Sequence, residues 1–191
     1  MSVRQALLTL LDGEPMYGYQ LRAEFEARTG STWPLNVGQV YTTLTRLERD
    51  GLVTEAGSDA EGHVFYALTD AGRDEVRRWF GTPVERGAKP PRDELAIKLA
   101  LAVTVPGVDV RAVIQAQRTD TVRALQEYTR LKAGATDEDL AWLLVVDALV
   151  FQAEAEVRWL DHCEARLARH ATAPRVPASA REGARQKGGV R

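Results

Sequence analysis

A single cysteine in 191 residues is the first absence that constrains this chain. It excludes an internal disulfide framework and fits a reducing compartment. A long uncharged apolar run is missing too. The longest, Leu140 to Phe151, is interrupted by Asp147 and falls short of the roughly 20 residues that a membrane helix needs. The opening MSVRQALLTLLDGEP has one Arg before a short apolar run that Asp12 ends. It lacks a small-residue cleavage site, so it reads as a helix and not a signal peptide. A cytoplasmic protein without a membrane partner is expected. Charge of one sign is also scarce: 25 Lys and Arg stand against 27 Asp and Glu, a net of -2, so the totals advertise no polyanion-binding surface.

The motifs of catalysis are lacking as well. No phosphate-binding Gly loop, nucleophile elbow or HExxH pair occurs. His162 and Cys163 are adjacent, which turns their side chains about 100° apart on a helix, and no third ligand stands at metal spacing. His170 follows His162 by eight residues, too far for one ion to bridge readily. No catalytic residue, metal or cofactor is therefore assigned.

What is present is ordinary globular material, 45% hydrophobic and 27% charged, enough for one domain or two small ones. The charge is uneven. Residues 1–80 hold 8 basic and 12 acidic side chains, residues 81–171 hold 12 and 14, and residues 172–191 hold 5 and 1. That last segment is basic and rich in Pro, Gly and Ala, which predicts a disordered tail. It either adds nonspecific attraction to nucleic acid or is simply solvated.

Along the chain, Val3, Ala6, Leu7, Leu10 and Leu11 follow helical spacing until Gly13 and Pro15 stop it. A second helix is expected from Gly18 to Thr29, with Leu21 and Phe25 inward. Trp33-Pro34 forces an extended connection. Asn36 then caps a third helix, and Gln39 three residues on completes a capping-box pattern. Val37, Val40, Leu44 and Leu47 form its apolar stripe, while Gly38, Gln39, Thr42, Thr45, Arg46 and Arg49 lie opposite, and Gly51 ends it. The period then changes to two. Strands are predicted over Leu52–Glu55 and His63–Leu68, joined by a turn rich in Gly, Ser and Asp. Thr69 caps a helix over Asp70–Phe80.

Residues 81–91, GTPVERGAKPP, read as a linker. Beyond it the chain is helical: one helix ending near Pro106, one from Val108 to Lys132, and one from Thr136 to His170 with three acidic residues in its first turn. The last carries a 3-4 spaced seam from Leu143 to Leu167 and further apolar residues on other faces, which points to a homodimer. The fold class is thus mainly α with a small β-hairpin. Residues 1–80 form a winged helix-turn-helix, 81–91 a linker, 92–171 a helical dimerisation region and 172–191 the tail. In a winged helix-turn-helix the third helix enters the DNA major groove beside the hairpin. The exposed Gln, Thr and Arg of Asn36–Arg49 are side chains that pair with base edges and phosphates.

Several stretches carry a specific resemblance. EPMYGYQL from Glu14, VGQVYTTLTRLERDGLV from Val37, FYALTDAG from Phe65 and RDELAIKLALAV from Arg92 together resemble the PadR family of bacterial transcriptional regulators. The likeness covers the first 80 residues well, 92–170 more loosely and the tail not at all. It implies a homodimeric repressor of double-stranded operator DNA, released by a small-molecule or stress signal. Carried over, the DNA-binding positions are Gln39, Tyr41, Thr42, Arg46 and Arg49. Two departures stand out. Thr42 occupies a position where many relatives have Pro. The wing tip reads GSDAEGH where relatives often carry Arg and Lys, so Asp59 and Glu61 would repel phosphates, and His63 is the turn's one candidate cation. Phosphate grip is then expected mainly from the helix.

Bland readings stand beside these. Tyr41 borders the buried stripe and suits packing as well as phosphate contact. Arg46 and Arg49 could pair with Glu48 or Asp50. Trp142 and Trp159 either line an effector cavity, where aromatic planes suit flat apolar ligands, or simply pack. Winged helices also serve as protein-docking modules, and the acidic N-terminal region keeps that alternative open.

Overall fold

The computed structural model describes residues 3–84, 92–136 and 139–172. Its elements are α1 (Val3–Leu10), α2 (Gly18–Arg28), α3 (Val37–Arg49), β1 (Val53–Ser58), β2 (Val64–Leu68), α4 (Asp70–Gly81), α5 (Glu94–Ala102), α6 (Val110–Ala133) and α7 (Leu140–Thr172). By contacts the chain divides into two compact units. One comprises residues 1–92 with 128–149, the other residues 93–127 with 150–191. The adjoining ends of α6 and α7 therefore belong to the first unit. Most of the linker expected over 81–91, the tail expected over 172–191 beyond its first residue, and the expected helix-start acids Asp137 and Glu138 lie outside the described residues.

In the first unit the apolar stripes of α1, α2 and α3 meet in one core. Leu7, Leu8, Leu21, Val40, Leu44 and Leu47 are fully buried there, and Val53, Leu68 and Val76 close it from the hairpin and α4. β1 and β2 pair antiparallel, with Val53 opposite Leu68. The turn before α2 adds a third short rung, because Met16 and Tyr66 exchange both backbone hydrogen bonds. This is a winged helix-turn-helix, as the element order predicts.

Two strand ends differ from expectation, each for a local reason. β1 continues to Ser58 because the register shifts between Glu55 and Ser58, with Gly57 at φ +118° inside the irregularity. β2 begins at Val64, since the His63 N–H donates to the Asp59 carboxylate and is not available to a ladder. The start of α4 rests on Thr69, whose hydroxyl accepts from the Gly72 N–H and donates to the Gly51 carbonyl. Glu75 fastens α4 to α1 by accepting from Gln5 and pairing with Arg4.

The second unit is built from α5 and the parts of α6 and α7 assigned to it. Leu99, Ile114 and Leu160 form its buried centre. Arg118 joins α6 to α7 through Asp161 and Glu164, at 2.6 and 2.8 Å. Thr121, almost fully buried, donates to Glu156, which also accepts from Gln117. α5 ends at Ala102, short of Pro106, where a turn takes over with the Thr104 hydroxyl donating to the Leu101 carbonyl and Gly107 at φ +84°. α7 starts at Leu140 and not Thr136. The Thr136 N–H and hydroxyl both donate to the Asp139 carboxylate ahead of the helix. Among the described residues no helix is long and apolar enough to cross a membrane.

Candidate nucleic-acid interface

The polar face of α3 is built from its cap outward. The Asn36 side chain accepts from the Gly38 N–H at 2.7 Å, satisfying one of the donors that a helix start leaves orphaned. The reciprocal half of the expected capping box does not form, and no described residue bonds the Gln39 side chain, which stays exposed. Its amide therefore keeps both donor and acceptor for an external partner. Thr42, Thr43 and Thr45 donate their hydroxyls back to the carbonyls of Gly38, Gln39 and Tyr41. Their protons are spent on the helix, so Thr42 offers oxygen lone pairs and a methyl.

The two arginines differ. Arg46 is exposed, and its guanidinium has no ion pair or hydrogen bond among the described residues. Arg49 meets Asp50 at 3.3 Å, and Arg4 from α1 shares the same carboxylate at 3.6 Å. Such exposed pairs contribute little and open readily. Glu48, a partner weighed from sequence, takes neither guanidinium among the described residues.

Tyr41 is half-buried, and its environment is aromatic. Its ring lies over Gly18 at the start of α2 and meets Tyr19 edge-on with centroids 6.5 Å apart. Burial, with Tyr19 and Tyr17 beside it, pushes its phenol above the ordinary value, so it stays a hydrogen-bond donor. Tyr19 itself is 54% exposed. Neither Tyr17 nor Tyr19 was singled out from sequence as a site residue, although both lie in the quoted MYGYQL stretch. Their relation to α3 depends on how two helices cross.

At the wing tip, Asp59 organises the turn. One carboxylate oxygen accepts from the N–H groups of Glu61 and His63, and the other meets His63 Nδ1 at 2.8 Å. Glu61 approaches the same nitrogen at 3.6 Å. The hydrogen bond from His63 holds the Asp59 carboxyl below its usual range. The His63 ring also stacks on Tyr17, with centroids 4.5 Å apart and planes 17° from parallel. The expected cation of the turn is thus held between two carboxylates and a phenol, with Nδ1 engaged. Ligand atoms of Asp59, Glu61 and His63 lie within 4.8 Å of one another, near enough for one cation, yet the same contacts are what close the turn.

The two tryptophans belong to different units. Trp142, in the first unit, lays its ring on Gly30 beyond α2. Trp159, in the second, borders a cavity between α5, α6 and α7.

Comparison with known proteins bears on both parts of the chain. Residues 7–78 match the transcriptional regulator PadR-like family, and residues 91–168 match the virulence activator alpha C-terminal family. A probable transcriptional regulator of Mycobacterium tuberculosis is 26% identical over 180 residues, covering 84% of this chain and 95% of that protein. The Vibrio cholerae virulence activator AphA has a similar fold, with a TM-score of 0.63 at 24% identity, covering 90% of this chain and all of that one. So has Bacillus subtilis PadR. Its complex with operator DNA gives a TM-score of 0.62 at 22% identity, covering 86% and 96% of the two chains. Its complex with p-coumaric acid gives 0.66 at 21%, covering 86% and 97%.

Proposed function

We propose that the chain, whose residues 7–78 match the PadR-like family of transcriptional regulators, is a homodimeric, sequence-specific DNA-binding repressor released by a small-molecule or stress signal. The observation that carries this is the polar face of α3. A capped, core-anchored helix presents Gln39, Thr42 and Arg46, whose guanidinium has no ion pair among the described residues, on one side, with Arg49 within reach at its end. Gln and Arg read base edges in the major groove, and Arg neutralises phosphates. Tyr41 supports the face from its border and donates its phenol proton to a phosphate. His63 gives its Nδ1–H to Asp59, so Nε2 donates to a phosphate only when the ring carries a second proton. The helical residues 92–171 serve dimerisation, Trp159 lines the effector site, and Trp142 is assigned to packing against Gly30. The protein works in the cytoplasm, where its DNA is.

A gel shift on the DNA upstream of the protein's own gene, with competitor DNA at near-physiological salt, tests the proposal. Arg46→Ala and Arg49→Ala should each weaken binding and lower the salt slope by about 0.9 per lost phosphate contact. Unchanged affinity and slope in both variants would overturn the assignment. The acidic wing tip favours a second reading, a protein-docking winged helix, and failure to retard any upstream fragment would select it.

A further inference from the structure

The cavity beside Trp159 has a volume of about 980 Å³ and lies wholly within the second unit. Small-molecule sites run to about 1,000 Å³, so this one is large. Its wall is apolar, with Leu99 from α5, Val103 just beyond it, Ile114 from α6 and Trp159 and Leu167 from α7. Its charge is confined to one end. Arg166, Arg169 and His170 border it near the close of α7, while Trp159 stands eleven residues earlier. At 1.5 Å per residue those positions span roughly 16 Å along the helix.

No carboxylate is among the described residues that line it. The neighbouring acids of α7, Asp161 and Glu164, are turned to Arg118 of α6 instead. Basic residues at a helix end ordinarily complement the terminal carbonyls. Arg166 and His170 also border an apolar hollow whose described lining contains no carboxylate.

We infer that this cavity binds an elongated monocarboxylate of the fatty-acid class, its chain along Trp159 and Ile114 and its carboxylate at Arg166 and His170. Each buried methylene tightens such a ligand about fourfold, and the long wall gives a chain of dodecanoate length somewhere to lie. A compact aryl acid would leave much of the wall uncovered. A neutral hydrocarbon would make no use of the side chains of Arg166 and His170. The inference rests on the regulator reading only for its consequence at DNA.

Calorimetric titration of the full chain with sodium dodecanoate, kept below its micelle concentration, tests it directly. Saturable binding of one dodecanoate per chain is expected. Arg166→Gln, on an exposed side chain, should weaken dodecanoate about tenfold or more while leaving dodecanol binding unchanged. Ala100→Trp, which intrudes on the cavity wall, should abolish both. Absence of dodecanoate binding overturns the inference, as does binding insensitive to both variants, or p-coumarate binding as tightly as dodecanoate. If dodecanoate does not bind and Ala100→Trp instead changes the sedimentation of the protein, a second copy of the chain covers the cavity and the inference falls. Loss of DNA retardation with dodecanoate binding intact counts against the regulator reading alone, and the converse against the cavity alone.

Discussion

Gly18 lies directly beneath the ring of Tyr41: a methyl group added at residue 18 would stand 2.6 Å from Cζ. No real carbon tolerates that approach, so the first residue of α2 sets where the aromatic of α3 can rest. Gly18→Ala should therefore displace Tyr41, costing about 1–3 kcal/mol of stability as overpacking does. Operator affinity should fall further than the unfolding data account for, because α3 must shift or rotate. Urea denaturation and DNA titration on the same preparation check this. A fully folded variant with native affinity would separate the Tyr41 position from DNA binding.

Asp59 and Glu61 place negative charge where the wing would approach phosphate. Asp59→Asn with Glu61→Gln should raise DNA affinity by about threefold per charge at low salt, fading as ionic strength rises. The Asn side chain can still accept the turn's N–H donors, so the hairpin should persist. Fluorescence anisotropy across a salt series measures it, and no gain at low salt would place the wing tip away from DNA.

Glu75 holds α1 to α4, and its carboxyl is depressed below the ordinary 4.5, chiefly by the hydrogen bond from Gln5 and then by Arg78 and Arg4. A folded-state pKa below the unfolded one means that stability is fully present above about the ordinary value. It is lost as pH falls through the depressed one. Denaturation midpoints from pH 7 downward should decline in that acid window, and Glu75→Gln should flatten the decline. An unaltered pH profile in the variant would remove Glu75 from the account.

Gly30 combines a left-handed φ of +56° with the Trp142 ring, which an added Cβ would meet at 2.3 Å. Gly30→Ala should cost more than about 2 kcal/mol, the sum of the backbone penalty and the steric one. Trp142→Leu in that background should recover part of it. A double-mutant cycle gives the coupling directly, and zero coupling would mean that ring and glycine act independently.

The fold and the resemblance to PadR-like regulators were legible in the sequence because their signals are contiguous. A polar cap, a 3.6-residue stripe and a terminal Gly define α3 within 16 residues, and a switch to alternation marks the wing. Caps and periodicity act within a few residues, so Asn36 reads the same in the chain as in the fold. What the sequence left open depended on partners distant along the chain. Arg46 and Arg49 look equivalent in TRLERD, yet Asp50 pairs with Arg49 and with Arg4 of α1, while no described residue pairs with the Arg46 guanidinium. His63 reads as a cation for DNA, but Asp59 and the Tyr17 ring claim it. Trp142 and Trp159 lie on one helix and look alike. Their surroundings, Gly30 for one and α5 with α6 for the other, separate a packing ring from a cavity wall. Local propensity determined which residues form each element, whereas helix packing and side-chain competition decided which exposed groups remain free to act.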